Sequence, residues 1–213
     1  YGQSDFLVLT YTPKGDLFSD EALGAMVRLR DDLTSLKRVT SVVSILDVPL
    51  LENPPAESVG ATPRGGPGQA RGLPLHDLPT LTSPTVDREL ARAELGNSPF
   101  VRNLLLSPDS RTAALLINLS GDDANRDLVE RRNELDRKQS SGLLTSAERA
   151  ELKLVNAQIR EQRDQARRRS HQDILAIRAI MDKYRASAEL FLGGVSMIAD
   201  DMITFIRNDL KVF

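Results

Sequence analysis

The sequence predicts an α+β fold in which a small sheet is covered by helices and a long helical hairpin is set into it. Three observations predict it. Short apolar or β-branched runs at 6–11, 39–48, 111–119 and 189–192 fall in the order strand, helix, strand, strand, helix, strand. Two highly charged, helix-favouring segments, 122–139 and 145–185, are separated only by a Ser-Ser-Gly-Leu-Leu tip. With 213 residues, 40% of them hydrophobic, the chain is long and apolar enough to bury a core, which excludes disorder for most of it.

The first strand, 5–12, puts Phe6, Val8 and Thr10 on one face and Leu7, Leu9 and Tyr11 on the other, a pattern suited to a central strand. Pro13-Lys14-Gly15-Asp16 ends it. Ser19 is placed to cap a helix that has Asp20 and Glu21 in its first turn and the stripe Ala22, Leu23, Met26, Leu29, Leu33, Leu36, with Lys37 and Arg38 expected at its negative end. Residues 39–48 read as a second strand stopped at Pro49.

Between 50 and 84 the composition turns to Pro, Gly and small polar residues, centred on 60–72, and predicts a long loop. A short helix is expected at 85–95, broken by Asn97-Ser98-Pro99, then an apolar piece at 100–106 and a third strand at 111–119. Thr145-Ser146-Ala147-Glu148 is a capping box that fixes the start of the return helix. That helix carries Leu152, Val155 and Ile159 at coiled-coil spacing, matched more sparsely by Leu128 and Leu135 on the first arm. Its second half has the denser stripe Ile174, Ile177, Met181, Tyr184, suited to lying on a sheet. Residues 189–192 form a last short strand, which needs a distant partner and finds its best candidate in 6–11. Gly193-Gly194 turns the chain into a helix over 197–213 with Ile198, Met202, Phe205, Ile206, Leu210 and Phe213 at three- and four-residue steps.

This order is the split βαβ arrangement of a ferredoxin-like βαββαβ sandwich with the hairpin inserted after the third strand. Strands one and three are expected in the middle, with the last strand antiparallel to the first at one edge. The domains are accordingly 1–121 with 171–213 for the sandwich and 122–170 for the hairpin. The first strand would begin and the last would end on one side. The chain opens on Tyr1 and its last amphipathic stretch reaches Phe213 without a stop signal, as expected of a domain cut from a larger protein.

Composition narrows the function. A formal net charge of -2 gives no electrostatic reason to expect nucleic acid as a partner. The absence of cysteine removes disulfides, thiolate metal sites and a cysteine nucleophile. No apolar run of about 18 residues marks a membrane span, and no signal peptide is present. Asp200 and Asp201 are adjacent, project about 100° apart on a helix and lack a third ligand at helical spacing, so they read as complements of the helix dipole. His76 lies in the Pro-rich loop and His171 follows Arg167-Arg168-Arg169, with no Ser/His/Asp set around either. The basic residues of the two arms are interspersed with Asp127, Glu130, Glu161 and Asp164, as on a self-paired solvated helix. The glycine loop has no Gly-Lys-Ser/Thr ending, and a loop without a phosphate role is the simpler assignment. No catalytic, cofactor or metal site is expected.

Several stretches bring a family into view: Asp16-Leu17-Phe18-Ser19, Val43-Ser44-Ile45-Leu46-Asp47-Val48-Pro49-Leu50, Leu81-Thr82-Ser83-Pro84, Asn97-Ser98-Pro99, and Leu192-Gly193-Gly194-Val195-Ser196-Met197-Ile198-Ala199-Asp200-Asp201-Met202-Ile203. Together, in this order, they resemble the first extracytoplasmic loop of bacterial exporters of the resistance-nodulation-division superfamily, in the branch that includes MmpL-like and hopanoid transporters. The resemblance spans nearly the whole chain; the charged hairpin departs from the minimal pattern. It implies a periplasmic porter domain of an inner-membrane, proton-driven pump for hydrophobic or lipid-like substrates, flanked by transmembrane helices, with the proton-carrying acids elsewhere. Met202, Phe205, Ile206 and Phe213 would then couple the domain to a membrane helix. Leu152, Val155 and Ile159 would dock a second periplasmic domain, a neighbouring subunit or an accessory protein. The alternative is a periplasmic adaptor that bridges membrane complexes through its hairpin and has no substrate of its own.

Overall fold

The computed structural model describes residues 6–52, 78–121, 126–194, 197–198 and 201–202. The fold is mixed α+β, built on a four-stranded antiparallel sheet in the order β2-β3-β1-β4. Its strands are β1 (Phe6–Pro13), β2 (Val39–Val43), β3 (Ala113–Leu119) and β4 (Ala188–Gly193). Helix α1 (Asp20–Thr34) follows β1, α2 (Arg88–Asn97) precedes β3, and α3 (Arg126–Ser140) and α4 (Ser146–Tyr184) lie between β3 and β4.

Alternation decides which face of the sheet is inside. Leu7, Leu9 and Tyr11 of β1 are buried with Ala113, Leu115, Ile117 and Leu119 of β3 and Ala188 and Leu190 of β4. Against this face lie α1, through Met26, Leu29 and Leu33, and the second half of α4, through Ile174, Ile177 and Met181. The register places Leu9 opposite both Leu115 and Leu192, so the first and last strands are direct neighbours. Tyr184 donates from its hydroxyl to Asp32 at 3.1 Å, and Lys183 donates to the same carboxylate at 3.3 Å, fixing the end of α4 to α1.

Three boundaries differ from the sequence expectation. The second strand stops at Val43 rather than continuing to 48, because Ser44 and Asp47 form a capping box: the Ser44 hydroxyl accepts from the Leu46 N–H, and Asp47 accepts from the Ser44 N–H at 2.9 Å. This folds Ile45–Asp47 into a 3-10 turn that buries Ile45 and Leu46. A register shift between Val39 and Ser41 also lets Val39 and Val42 share the inner face. Helix α1 ends at Thr34, so Arg38 does not face its carbonyl end. Arg38 instead donates to the Ser120 carbonyl at 2.7 Å and to Asp173 at 2.9 Å, joining β2, the end of β3 and α4. Helix α2 starts at Arg88 rather than Thr85 because Asp87 caps it by accepting from the Glu89 and Leu90 N–H groups.

The Pro- and Gly-rich segment enters and leaves at one place. The Leu50 N–H donates to the Pro79 carbonyl at 2.8 Å. The Leu51 and Glu52 N–H groups donate to the Glu94 carboxylate on α2, and Arg88 donates to the Leu81 carbonyl. Residues 53–77 lie outside the described residues, but both sides of their attachment are pinned to α2. Replacing 54–76 with a two-glycine link is therefore expected to leave far-UV circular dichroism unchanged and to raise stability by about 1–2 kcal/mol through the smaller closure entropy. Loss of the folding transition in a thermal melt would overturn this.

Candidate functional site

Chemistry that acts through surfaces must come from how the chain is held at three places: the corner where β1 starts and β4 ends, the sheet face turned away from the helices, and the hairpin. At the corner, Val8 pairs with Gly193, and Gly194 follows with φ at 139° beside Phe6. The Ile198 N–H donates to the Gly194 carbonyl at 3.1 Å, beginning a helical turn, and Met197 packs partly buried on the core. Asp201 is not left to the helix dipole alone: both its carboxylate oxygens accept from Arg178 of α4, at 2.8 and 2.9 Å. Met202 is helical and 61% exposed, on one side with Ile198 at 60%. Phe205, Ile206 and Phe213 lie outside the described residues, as does Asp200.

The second surface is the outer sheet face. Val43, Leu116 and Val8 stand in register across it, with Phe6 and Phe191 more than half exposed. Glu189 is the one ionisable residue that the described strands bring to it, where a fully solvated antiparallel face carries several. The apolar piece at 100–106 is neither helix nor strand. Leu106 bridges Ala113, the Ala114 N–H donates to the Leu105 carbonyl at 2.8 Å, and Leu104 is left exposed. Leu104, Leu105, Thr10 and Ala114 thereby border a groove of about 290 Å³.

The third surface is the hairpin, which has a small core of its own. Leu135, Leu144, Val155 and Ile159 are buried and separate from the main core, with Leu152 half-buried. Of the residues singled out for docking, Val155 and Ile159 are buried on the side of α4 that packs on α3, while Leu152 is half-buried. Ion pairs close the same seam. Arg131 makes paired bonds to Glu151 at 2.7 and 2.9 Å, and Lys138 donates to Glu148 at 2.6 Å. The Lys138 ammonium, then the Thr145 N–H and hydroxyl, hold the Glu148 carboxyl down to about 2. The Arg131 guanidinium lowers that of Glu151.

A depressed carboxylate stabilises above its unfolded value and loses that contribution as pH falls through the folded value. Acidification from about pH 5 to pH 2 is therefore expected to loosen the tip, where Glu148 departs from an ordinary 4.5. Protection factors of the amides in 131–151, which correct for the slower intrinsic exchange in acid, should fall over that window in the parent and much less in Lys138→Met. An identical pH response in the two proteins would overturn this.

For bond-making chemistry the described residues bring little together. His76 and residues 60–72 lie outside them, and His171 is half-buried on α4. A cleft of about 370 Å³ is lined by Tyr11, Lys14, Glu21, Arg28 and Ser187 among others. The Tyr11 hydroxyl in it is committed to the Ala22 carbonyl at 3.1 Å, and burial raises its pKa against the opposing pull of Arg28. Among the described residues no group of three His, Asp or Glu side chains is placed to hold a metal ion, and no helix is long and apolar enough to cross a membrane.

The sequence signals for these features are uneven. Arg178 and Asp201 are 23 positions apart, and no periodicity links them. The outer sheet face was visible as the even-numbered residues of 6–11. In comparisons with known proteins, no family model, no curated protein and no solved structure matches the chain.

Proposed function

We propose that the chain is a periplasmic porter domain of a resistance-nodulation-division exporter, in the MmpL-like branch, that takes part in the passage of hydrophobic or lipid-like molecules. The observation that carries this is the pairing of Val8 with Gly193. The chain enters and leaves the sheet on adjacent antiparallel strands that meet at one corner, an arrangement that suits a loop between two consecutive membrane helices. The sheet order β2-β3-β1-β4 with α1 and α4 on one face agrees with a ferredoxin-like βαββαβ sandwich carrying an inserted hairpin. The weakly charged outer face is compatible with an apolar cargo or a second periplasmic domain.

A direct test uses the absence of cysteine. With Gln139→Cys as the only cysteine of the full-length protein, any outside these 213 residues replaced by Ser, a membrane-impermeant maleimide is expected to label it in its own cells before lysis. Labelling only after the inner membrane is opened would sink the proposal. A second reading, an adaptor acting through the hairpin, is favoured by the separate hairpin core. Deleting 122–170 separates the two: an adaptor loses all activity, whereas a porter domain keeps its sheet and part of its transport.

A further inference from the structure

Besides the seam it shares with α3, the first half of α4 has a second apolar line, which faces outward. Ala147, Ala150, Leu154 and Ala157 follow at steps of three, four and three, all exposed, Leu154 by 66%, and Leu143 in the tip just before the helix is exposed by 73%. At 100° per residue this line runs roughly 150° round the helix from half-buried Leu152 and buried Val155 and Ile159. Beside it runs a basic line at the same spacing, Arg149, Lys153, Arg160 and Arg163, all exposed. Elsewhere on the hairpin, Arg131, Arg132 and Lys138 are matched to carboxylates. Among the described residues, no carboxylate stands within ion-pair distance of these four.

We infer that this face of α4 docks an acidic amphipathic helix of a partner protein. Three Ala around one Leu at 3-4 spacing suit a closely packed helix pair, because Ala lets two axes approach while Leu fills the space between turns. A membrane surface fits less well: interfacial helices bury bulky Trp, Phe or Leu side chains, and three of these four helical positions are Ala. A second copy packed antiparallel fits less well too, since two such faces would set basic lines against each other. The partner's helix therefore carries small and branched apolar residues at 3-4 spacing with Asp or Glu beside them. This deepens the proposed porter function by naming which hairpin face meets the accessory protein, and it rests on that reading only for where the contact occurs.

The test needs no transport, so its failure and the failure of the porter reading are distinguishable. With Ala157→Cys as the single labelling site, an environment-sensitive dye is titrated with a synthetic helix that has Leu and Ala at the core positions and Glu at the flanks. Saturable binding is expected, weakened by raised salt and by at least about tenfold in Lys153→Glu/Arg160→Glu. Dye at Asn133→Cys on α3 should respond little. Leu154→Gln supplies a second variant, and circular dichroism checks the fold of each. Four results overturn the inference: no saturation, equal binding of the same helix with Lys flanks, a dye response to phosphatidylglycerol vesicles in place of the peptide, or a response to protein concentration alone.

Discussion

Gly194→Ala is expected to lower the melting temperature by roughly 5–15 °C, corresponding to about 2–4 kcal/mol in a chain of this size. Two independent costs combine. At φ 139° an L-residue is strained whatever the space around it. A Cβ built there also meets Leu7 Cδ2 at 2.8 Å and the Phe6 carbonyl oxygen at 3.1 Å. Leu7 belongs to a central strand and is fully buried, so neither neighbour has room to retreat. The substitution should also speed hydrogen exchange at the start of β1 and the end of β4 ahead of the hairpin, because the corner is where the strain enters. A melting temperature within a degree or so of the parent would show that the turn relaxes freely, and the corner would then be no rigid attachment.

Arg38→Met should cost about 2 kcal/mol, with a melting-temperature loss of roughly 4–8 °C. The guanidinium is about three-quarters covered and donates to the Ser120 hydroxyl at 3.4 Å, the Ser120 carbonyl at 2.7 Å and Asp173 at 2.9 Å. Side chains of Arg38 and Asp173 are 22% and 20% exposed, so solvent screening trims the ionic part without removing it. A double-mutant cycle with Asp173→Asn should give a coupling of at least about 0.5 kcal/mol. Strict additivity would mean that Arg38 acts only through Ser120. Pulse proteolysis is the complementary readout: cleavage near residue 170 should rise in Arg38→Met more than cleavage within α1.

Much of this fold was legible because local patterns and the global arrangement agree. The run at 189–192 is too short to stand alone, and 6–11 was the one comparable run near the other end; they pair from Val8 with Gly193 to Pro13 with Ala188. The tip was legible because Thr145 and Glu148 form a box whose spacing is fixed by helix geometry. What was not legible depends on polar side chains choosing partners far along the chain. Arg38 after α1 satisfies a rule for helix ends, yet an uncapped carbonyl at Ser120 and a carboxylate at Asp173 attract it more strongly. Ser44 and Asp47 sit inside a β-branched run, and their mutual bonds outweigh its alternation. Leu152, Val155 and Ile159 were matched by spacing to Leu128 and Leu135 on the first arm and also set down for docking, and burial of Val155 and Ile159 with Leu135 favours the first of these uses. That use leaves the lighter line through Ala147 and Leu154 as the outward one.

Helix α4 belongs to two bodies at once: its 39 residues run unbroken from the hairpin tip to Tyr184 on the sheet. About 37 Å of it, from Ser146 to Ser170, projects beyond the part held by Ile174 and Ile177, at 1.5 Å per residue. Such a rod has mechanical gain. A rotation of about 10° at its root sweeps the tip through roughly 6 Å, more than one helical turn of register along a docked partner. Arg178, within the root, grips Asp201 just past the exit corner. A tilt of the chain leaving β4 that carried the root of α4 with it would therefore be magnified at the far end of the hairpin.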